Sequence, residues 1–396
     1  MSAVYIDVSD LLAWFRHHGY PSGIPRVITE VLRTDLPREV LFVSAVYDTW
    51  LVNDTKAVLA LLEYVGGGGV TERARLDRLL FDARPRSRAR IRQHDVLYLL
   101  GGFWGGCRVA SVRQAKRGGA HVAAVVYDMI AVHRPDLCPP GLGAEFTRDL
   151  RALVPMLDRV HAISEHTATE VQRYLYAEHG AGNRLAVTVH PLAHGPAGPA
   201  VMTDRVRSVA ERPFVLCVST IDRRKNQAVL LPVWERLAAE LGESCPRLVL
   251  AGGRWQQSPS DVEARIAASP VLSGLVTILP DAPDTELAAL YELCSFTTYP
   301  SLYEGWGLPV GESLVRGKPC LASSATSIPE VGGDFADYFN PTSPDDAFEA
   351  FARYVRAPAL VADRAERIRG HFVPRTWADV RRGIFSDLAQ VGRTAR

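Results

Sequence analysis

Apolar positions along the chain fall into short runs, each followed by a loop or by apolar residues at helical spacing. AVYIDV, EVLFVSAVY, DVLYLL, HVAAVVYD, RVHAIS and LAVTVHP occupy the first half, and FVLCVST, RLVLAGG, LVTILP, CSFTTYP and KPCLASS the second. Apolar and β-branched runs of this length predict buried strands, and their alternation with helices predicts two doubly wound α/β domains, each on a parallel sheet. Between the two series, residues 192–213 (LAHGPAGPAVMTDRVRSVAERP) are rich in Gly, Pro and charge and have no strand period, which predicts a linker. Domains are therefore expected at 1–205 and 206–375. Beyond them, Trp377, Val380, Ile384, Phe385 and Leu388 keep helical spacing, so 376–396 is expected as a helix packing back toward the N-terminal domain.

Composition narrows the function classes. A chain of 396 residues, 47% hydrophobic and 22% charged, is long enough for two ordinary cores. Its net charge of +1 supplies no global field for nucleic acid, so an anionic ligand must be held by a local cluster. Six cysteines form no CxxC pair and read as reduced core thiols, Cys217 and Cys320 within apolar runs and Cys107, Cys138, Cys245 and Cys294 elsewhere. No run approaches the roughly 18 apolar residues of a membrane span, and the first residues lack the pattern of a secretion signal. The expected location is the cytoplasm. Residues 73–92 hold eight arginines, with Phe103 and Trp104 downstream. Such a stretch suits peripheral contact with an anionic membrane at its inner face, while the plainer reading is a solvated basic face.

The chemistry concentrates in residues 299–324, YPSLYEGWGLPVGESLVRGKPCLASS. A strand ends near Tyr299, Gly305 and Gly307 permit a tight loop, and Pro309 suits the first turn of a helix that Gly317 ends. Free N–H groups and the positive helix end then point out of the carboxyl edge of a parallel sheet, which favours a diphosphate. Glu304 and Glu312 flank the loop as acceptors for sugar or ribose hydroxyls. Earlier, the strand FVLCVST leads into Arg223, Arg224, Lys225 and Asn226, cations at a strand-to-helix turn that could neutralise a leaving diphosphate.

The segment from Glu304 through Gly305, Trp306, Gly307, Leu308 and Pro309 to Glu312, with Gly317-Lys318-Pro319 and the Ser327 to Gly333 stretch, resembles the retaining glycosyltransferases of family 4. That resemblance implies the GT-B fold, two Rossmann-like domains whose sheets face a central cleft. It implies that Glu304 faces the transferred sugar, that Glu312 meets the ribose, and that the amides of Gly305, Trp306, Gly307 and Leu308 hold diphosphate and sugar. The RKN turn is similar to the family's phosphate-binding turn, which leaves Arg223 and Arg224 as alternatives beside Lys225. Gly252 and Gly253 fall where the family places a base-binding loop. As bare sequence they are an ordinary strand-to-helix turn.

The N-terminal half matches more thinly. SGIPRV, read as following a strand, resembles the family's Gly-rich loop, with Gly23 and Ile24 near the sugar or acceptor. VVYDMIAVHRP delivers Asp128 and then His133 into a loop, resembling the family's His-Asp segment with Tyr127 in place of the histidine, and the resemblance implies that His133 and Asp128 join Glu304 as catalytic candidates at the reacting sugar. Ser164 resembles a Ser-Glu element at the cleft, and taken alone it reads as a helix N-cap.

Together these features predict a retaining hexosyltransferase. The resemblance implies a nucleotide-diphosphate sugar as co-substrate, with GDP-mannose the first choice and a UDP-hexose the second, and no required metal. The acceptor expected is a saccharide or a lipid-linked sugar. The alternatives are a sugar-nucleotide-binding subunit without catalysis and a sugar-nucleotide epimerase on the same fold.

Overall fold

The computed structural model describes residues 3–67, 71–105, 108–180, 182–195, 198–253 and 261–391. Cys107, Gly68, Gly69 and the end of the expected terminal helix lie outside the described residues. The chain divides into two units, Met1–Leu192 with Trp377–Arg396, and Ala193–Thr376.

The first unit carries an eight-stranded sheet built from β1 (Val4–Asp7), β2 (Val40–Val46), β3 (Thr49–Asn53), β4 (Pro85–Arg88), β5 (Val96–Leu99), β6 (His121–Val126), β7 (Arg159–Ala162) and β8 (Ala186–Val189). Its order is β4-β3-β2-β1-β5-β6-β7-β8. The sheet is not wholly parallel, because β3 and β4 pair antiparallel at one edge. Two residues, Tyr47 and Asp48, join β2 to β3, and so short a link permits only a hairpin. β4 has the sequence PRSR, whose lack of apolar residues hides a strand from periodicity.

The second unit is a six-stranded, all-parallel sheet of β9 (Phe214–Val218), β10 (Arg247–Ala251), β11 (Val276–Leu279), β12 (Phe296–Tyr299), β13 (Cys320–Ser323) and β14 (Asp337–Phe339). Its order, β11-β10-β9-β12-β13-β14, reverses between β9 and β12. On β9, Val215 and Cys217 enter one core with Trp234, Phe296 and Phe351. Phe214 and Leu216 enter a second core with Leu290 and Tyr291 on the other face. Burial on both faces is why these strands read as continuous apolar runs.

The stretch expected as a linker contains the helix Asp204–Ala210, capped by the Thr203 hydroxyl, with Val206 and Val209 buried. It belongs to the second unit, which places the division at Leu192/Ala193 and not after residue 205. Cys217, Cys245, Cys294 and Cys320 are buried free thiols, and Cys138 is half-buried.

The helix Trp377–Val391 groups with the first unit. Its Val380, Ile384, Leu388 and Val391 are buried, and polar groups set its register. His161 Nε2 lies 2.7 Å from the Asp387 carboxylate, Tyr98 Oη lies 3.0 Å from His161 Nδ1, and Arg159 donates to Asp387 at 3.1 Å. Hydrogen bonding from His161 holds the Asp387 carboxyl below its usual range.

Two histidines are kept neutral by the fold. Burial, with His161 beside it, lowers His190 to about 4, and burial with Arg375 nearby lowers His194 to about 4. Each takes up a proton more readily in the unfolded chain, near the ordinary pKa of about 6.5. The stability they lend is therefore full above pH 6.5 and lost as pH falls toward 4. Urea midpoints measured from pH 7.5 down to 4 should decline across that window, and a flat profile would rule the assignment out. Replacing both residues, His190→Gln with His194→Gln, should flatten the decline.

Candidate active site

In an open parallel sheet, ligands bind outside the carboxyl ends of the strands where the strand order reverses. In the second unit that point lies between β9 and β12, paired in parallel with Thr298 opposite Cys217. The turn after β9 and the loop after β12 therefore emerge side by side.

Their backbones are stitched together. The Arg224 carbonyl accepts from Leu302 N at 2.8 Å, and Ser301 Oγ lies 3.0 Å from it. Asn226, at φ 58°, turns the chain after the cations, a left-handed conformation asparagine tolerates. Its side chain donates to the Pro300 and Pro341 carbonyls at 3.1 and 2.8 Å. The Asp222 carboxylate accepts from Arg224 N at 2.8 Å and caps the short helical turn Arg223–Lys225.

At the centre stands Glu304, 8% exposed. Lys225 Nζ reaches one carboxylate oxygen at 2.6 Å and Arg224 the other at 2.7 Å. Tyr299 Oη and Ser301 Oγ donate to the first oxygen at 2.9 and 2.7 Å. Burial pushes the Glu304 carboxyl up, but Arg224 and Lys225 outweigh it and hold it down at about 2. Burial and the neighbouring Arg224 lower the Lys225 ammonium, with Glu304 opposing them. Two cations around one carboxylate leave the site with net positive character, suited to an anionic group.

The loop beyond Glu304 is held from beneath. Ser327 Oγ donates to the carbonyls of Glu304 and Trp306 at 2.8 and 3.0 Å, and Glu304 N donates to Thr326 Oγ1 at 3.0 Å. Buried Trp306 approaches the Ala193 carbonyl through Nε1 at 3.4 Å. Gly307, at φ 131°, precedes the helix Leu308–Val315, with Pro309 in its first turn. The amides of Gly305, Trp306 and Gly307 meet no acceptor among the described residues. Free N–H groups at a helix start bind anions. One turn into that helix, Glu312 is buried and accepts from Tyr291 Oη at 2.8 Å. Gly195 and Gly311 let the 194–195 backbone lie against this helix, since a Cβ at Gly195 would stand 2.5 Å from Glu312 Cγ.

The structure thus gathers Arg224, Lys225 and Glu304 into one cluster and sets the Gly305–Leu308 loop beside it. Arg223 is exposed and makes no ion pair with Glu304. Gly252 has a packing reason of its own: a Cβ there would stand 2.1 Å from the Ser219 carbonyl oxygen. Ile221 N donates to the Gly253 carbonyl at 3.0 Å, joining the turns after β9 and β10. Tyr299, Ser301 and Tyr291 had no role in the sequence reading. They read as strand-end and helix residues, and only folding aims their hydroxyls at the two glutamates.

In the first unit several expectations change. SGIPRV follows the helix Ser9–His17 and not a strand, because Leu11, Leu12 and Phe15 bury one face of that segment. Gly23, at φ 54°, precedes the helix Ile24–Leu32, and Ile24 opens it. Ser164 is completely buried and caps the helix Glu165–His179 through Thr167 N at 3.0 Å, so its hydroxyl is not open to a sugar. His133 ends the one-turn helix Ile130–His133 where a loop was expected; it is exposed, with Nε2 3.9 Å from Glu170. The Asp128 carboxylate accepts from Ile130 N at 3.1 Å. Sequence reasoning passed over the reversal point of this sheet, between β1 and β5. There Arg108 bridges Asp7, at 2.9 Å, and Asp10, and burial raises the Asp10 carboxyl to about 6 against the pull of Arg108. Acids directly after the run YID, with Gly101-Gly102 after DVLYLL, were the available signal.

Residues 203–370 match the family model described as glycosyl transferases group 1. The match covers most of the second unit. The serotype-specific mannosyltransferase WbdA of Escherichia coli is 32% identical over 233 residues, covering 54% of this chain and 28% of WbdA. The O-antigen chain mannosyltransferase B of Escherichia coli is 34% identical over 138 residues, 35% of each chain. The matches thus span about a third or less of these relatives' own length. Among solved structures, HepE of Anabaena in complex with UDP has a TM-score of 0.65 at 13% identity, covering 98% of this chain and 100% of HepE. A glycosyltransferase from Rickettsia africae gives 0.62 at 12% identity, covering 100% and 99%. Likeness at such identities concerns the fold, which is GT-B. In the matched stretch the cationic turn follows β9, at the reversal point of the sheet.

Two substitutions in the domain should be felt as stability. Lys225→Met leaves the buried Glu304 with one cation and should cost about 3 kcal/mol in chemical unfolding. Gly252→Ala should cost about 2 kcal/mol, because backbone and not a flexible side chain blocks the new methyl. An unchanged midpoint in either variant would contradict the packing described.

Proposed function

We propose that this chain is a hexosyltransferase that takes a hexose from a nucleotide-diphosphate sugar and transfers it, with retention, to a saccharide or lipid-linked acceptor. The observation that carries the reading is the cluster of Lys225, Arg224 and Glu304 at the β9/β12 reversal point, beside free loop amides. Lys225 and Arg224 stabilise the charge that grows on the diphosphate as the bond from sugar C1 to phosphate oxygen breaks. The amides of Gly305, Trp306, Gly307 and Leu308 serve the same charge. The acceptor oxygen bonds C1 on the face the diphosphate leaves, and its proton passes to a phosphate oxygen.

Glu304 is not the proton donor. A carboxyl held at about 2 is ionised throughout the neutral range, so it accepts hydrogen bonds from sugar hydroxyls and keeps the cations in place. Glu312, steadied by Tyr291, receives the ribose hydroxyls, and Gly252 and Gly253 border the base. Gly23 and Ile24 serve the sugar or acceptor, and Asp128 and His133 the reacting sugar. GDP-mannose is the first donor, since the curated relatives are named mannosyltransferases, and a UDP-hexose is the second, since HepE was solved with UDP.

The test combines binding and turnover. A ligand that binds only the folded state raises the melting temperature, so GDP, UDP, GDP-mannose and UDP-hexoses are screened by thermal shift. One nucleoside diphosphate should stabilise the protein, and its sugar conjugate should release free nucleotide only when acceptor is present. Lys225→Ala and Glu304→Ala should each lower turnover by on the order of 100-fold or more. No shift with any nucleotide sinks the donor site, and a shift without transfer would assign a binding subunit.

A further inference from the structure

Arginines at 73, 75, 78, 84, 86, 88, 90 and 92 are all exposed. They line the helix Arg73–Asp82, the edge strand β4 and the segment that follows it. Against them the same stretch sets the acids Glu72, Asp77 and Asp82, in a chain whose overall charge is only +1. Arg73 pairs with Asp77 at 2.7 Å, and Arg86 faces Asp54 at 3.5 Å. Among the described residues the other six have no carboxylate within ion-pair distance.

Charge on an edge strand commonly serves to prevent sheet-to-sheet pairing. That purpose does not explain the apolar groups beside it. Phe81 is 63% exposed, with the Arg84 guanidinium 3.5 Å above its ring. At the other end Arg88 bonds Thr49 Oγ1 at 3.2 Å, next to the β2–β3 hairpin tip, where Tyr47 stands 85% exposed at φ 55°. Exposed guanidinium groups, those of Arg84 and Arg88 without a carboxylate partner among the described residues, lie along the chain between two exposed aromatic rings and match a layer of anionic headgroups over an apolar interior. The rings enter the interface while the cations meet phosphate oxygens.

We infer that the β4 edge, from Phe81 through Arg84, Arg86 and Arg88 to Tyr47, is a docking surface for an anionic lipid bilayer. The inference is independent of the transferase reading. No helix among the described residues is long and apolar enough to cross a membrane, so attachment through this edge is peripheral.

Sedimentation of the full chain with phosphatidylglycerol–phosphatidylcholine vesicles and with phosphatidylcholine vesicles alone tests it. Binding is expected only to the anionic vesicles, reversed by about 0.5 M salt, since the attraction is screened. Each arginine near such a surface contributes roughly fivefold to partitioning, so the triple variant Arg84→Ser, Arg86→Ser, Arg88→Ser should weaken binding on the order of 100-fold. Its melting temperature and nucleotide response should match the parent, because all three positions are exposed. The double variant Tyr47→Ser, Phe81→Ser should also weaken binding while leaving the salt dependence intact. No sedimentation with anionic vesicles at low salt overturns the inference. So does vesicle binding that survives the triple variant, or binding to heparin or duplex DNA without binding to vesicles.

Discussion

A carboxylate buried away from water is costly unless opposite charge and hydrogen bonds surround it. Glu304 meets that condition through Lys225 and Arg224, which lie about eighty residues earlier in the chain. The turn after β9 and the loop after β12 must therefore meet, and they meet because β9 and β12 are neighbours across the reversal of strand order. Tyr299, Ser301, Asn226 and Ser327 then lock the two segments in register. A net positive, partly dry site follows, with its donors already aimed before any ligand arrives. Such pre-organisation is what stabilises developing charge.

The first unit solves a related problem differently. At its reversal point the cation, Arg108, lies between two acids, Asp7 and Asp10, so the balance there tends to negative. The Asp10 carboxyl, raised to about 6 by burial, stands beside Gly101 and Gly102. The reversal points of the two sheets thus differ in charge, positive in the second unit and tending to negative in the first. Chain neutrality overall hides this, as it hides the arginine edge at β4.

Much of the fold was legible because parallel strands buried on both faces are continuous apolar runs. Eleven such runs each became a strand. The three missed strands explain themselves: β3 is a short hairpin return, β4 is polar and exposed, and β14 has only three residues. The helix in the supposed linker was hidden by its Gly and Pro neighbours, although Thr203, Val206 and Val209 spell its cap and buried face. Of the site, the loop from Glu304 to Leu308 and the turn at Arg224 and Lys225 could be read, because glycines, a helix-starting proline and clustered cations act locally. Ser164 read by itself as a helix N-cap, and the cap is what the structure shows; the resemblance alone had pointed it at the sugar.

Sequence alone determined most of the strand series, the cationic turn, the Gly-rich loop and the near-neutral composition, all consequences of local spacing and residue type. Tertiary structure decided which strands are neighbours, and hence that Lys225 and Glu304 form an ion pair while Arg223 stays in solvent. It also decided that Tyr291 serves Glu312, and that eight arginines spread over twenty residues stand exposed on a helix and edge strand. Those outcomes depend on long-range strand order and burial, which no local window of the chain contains.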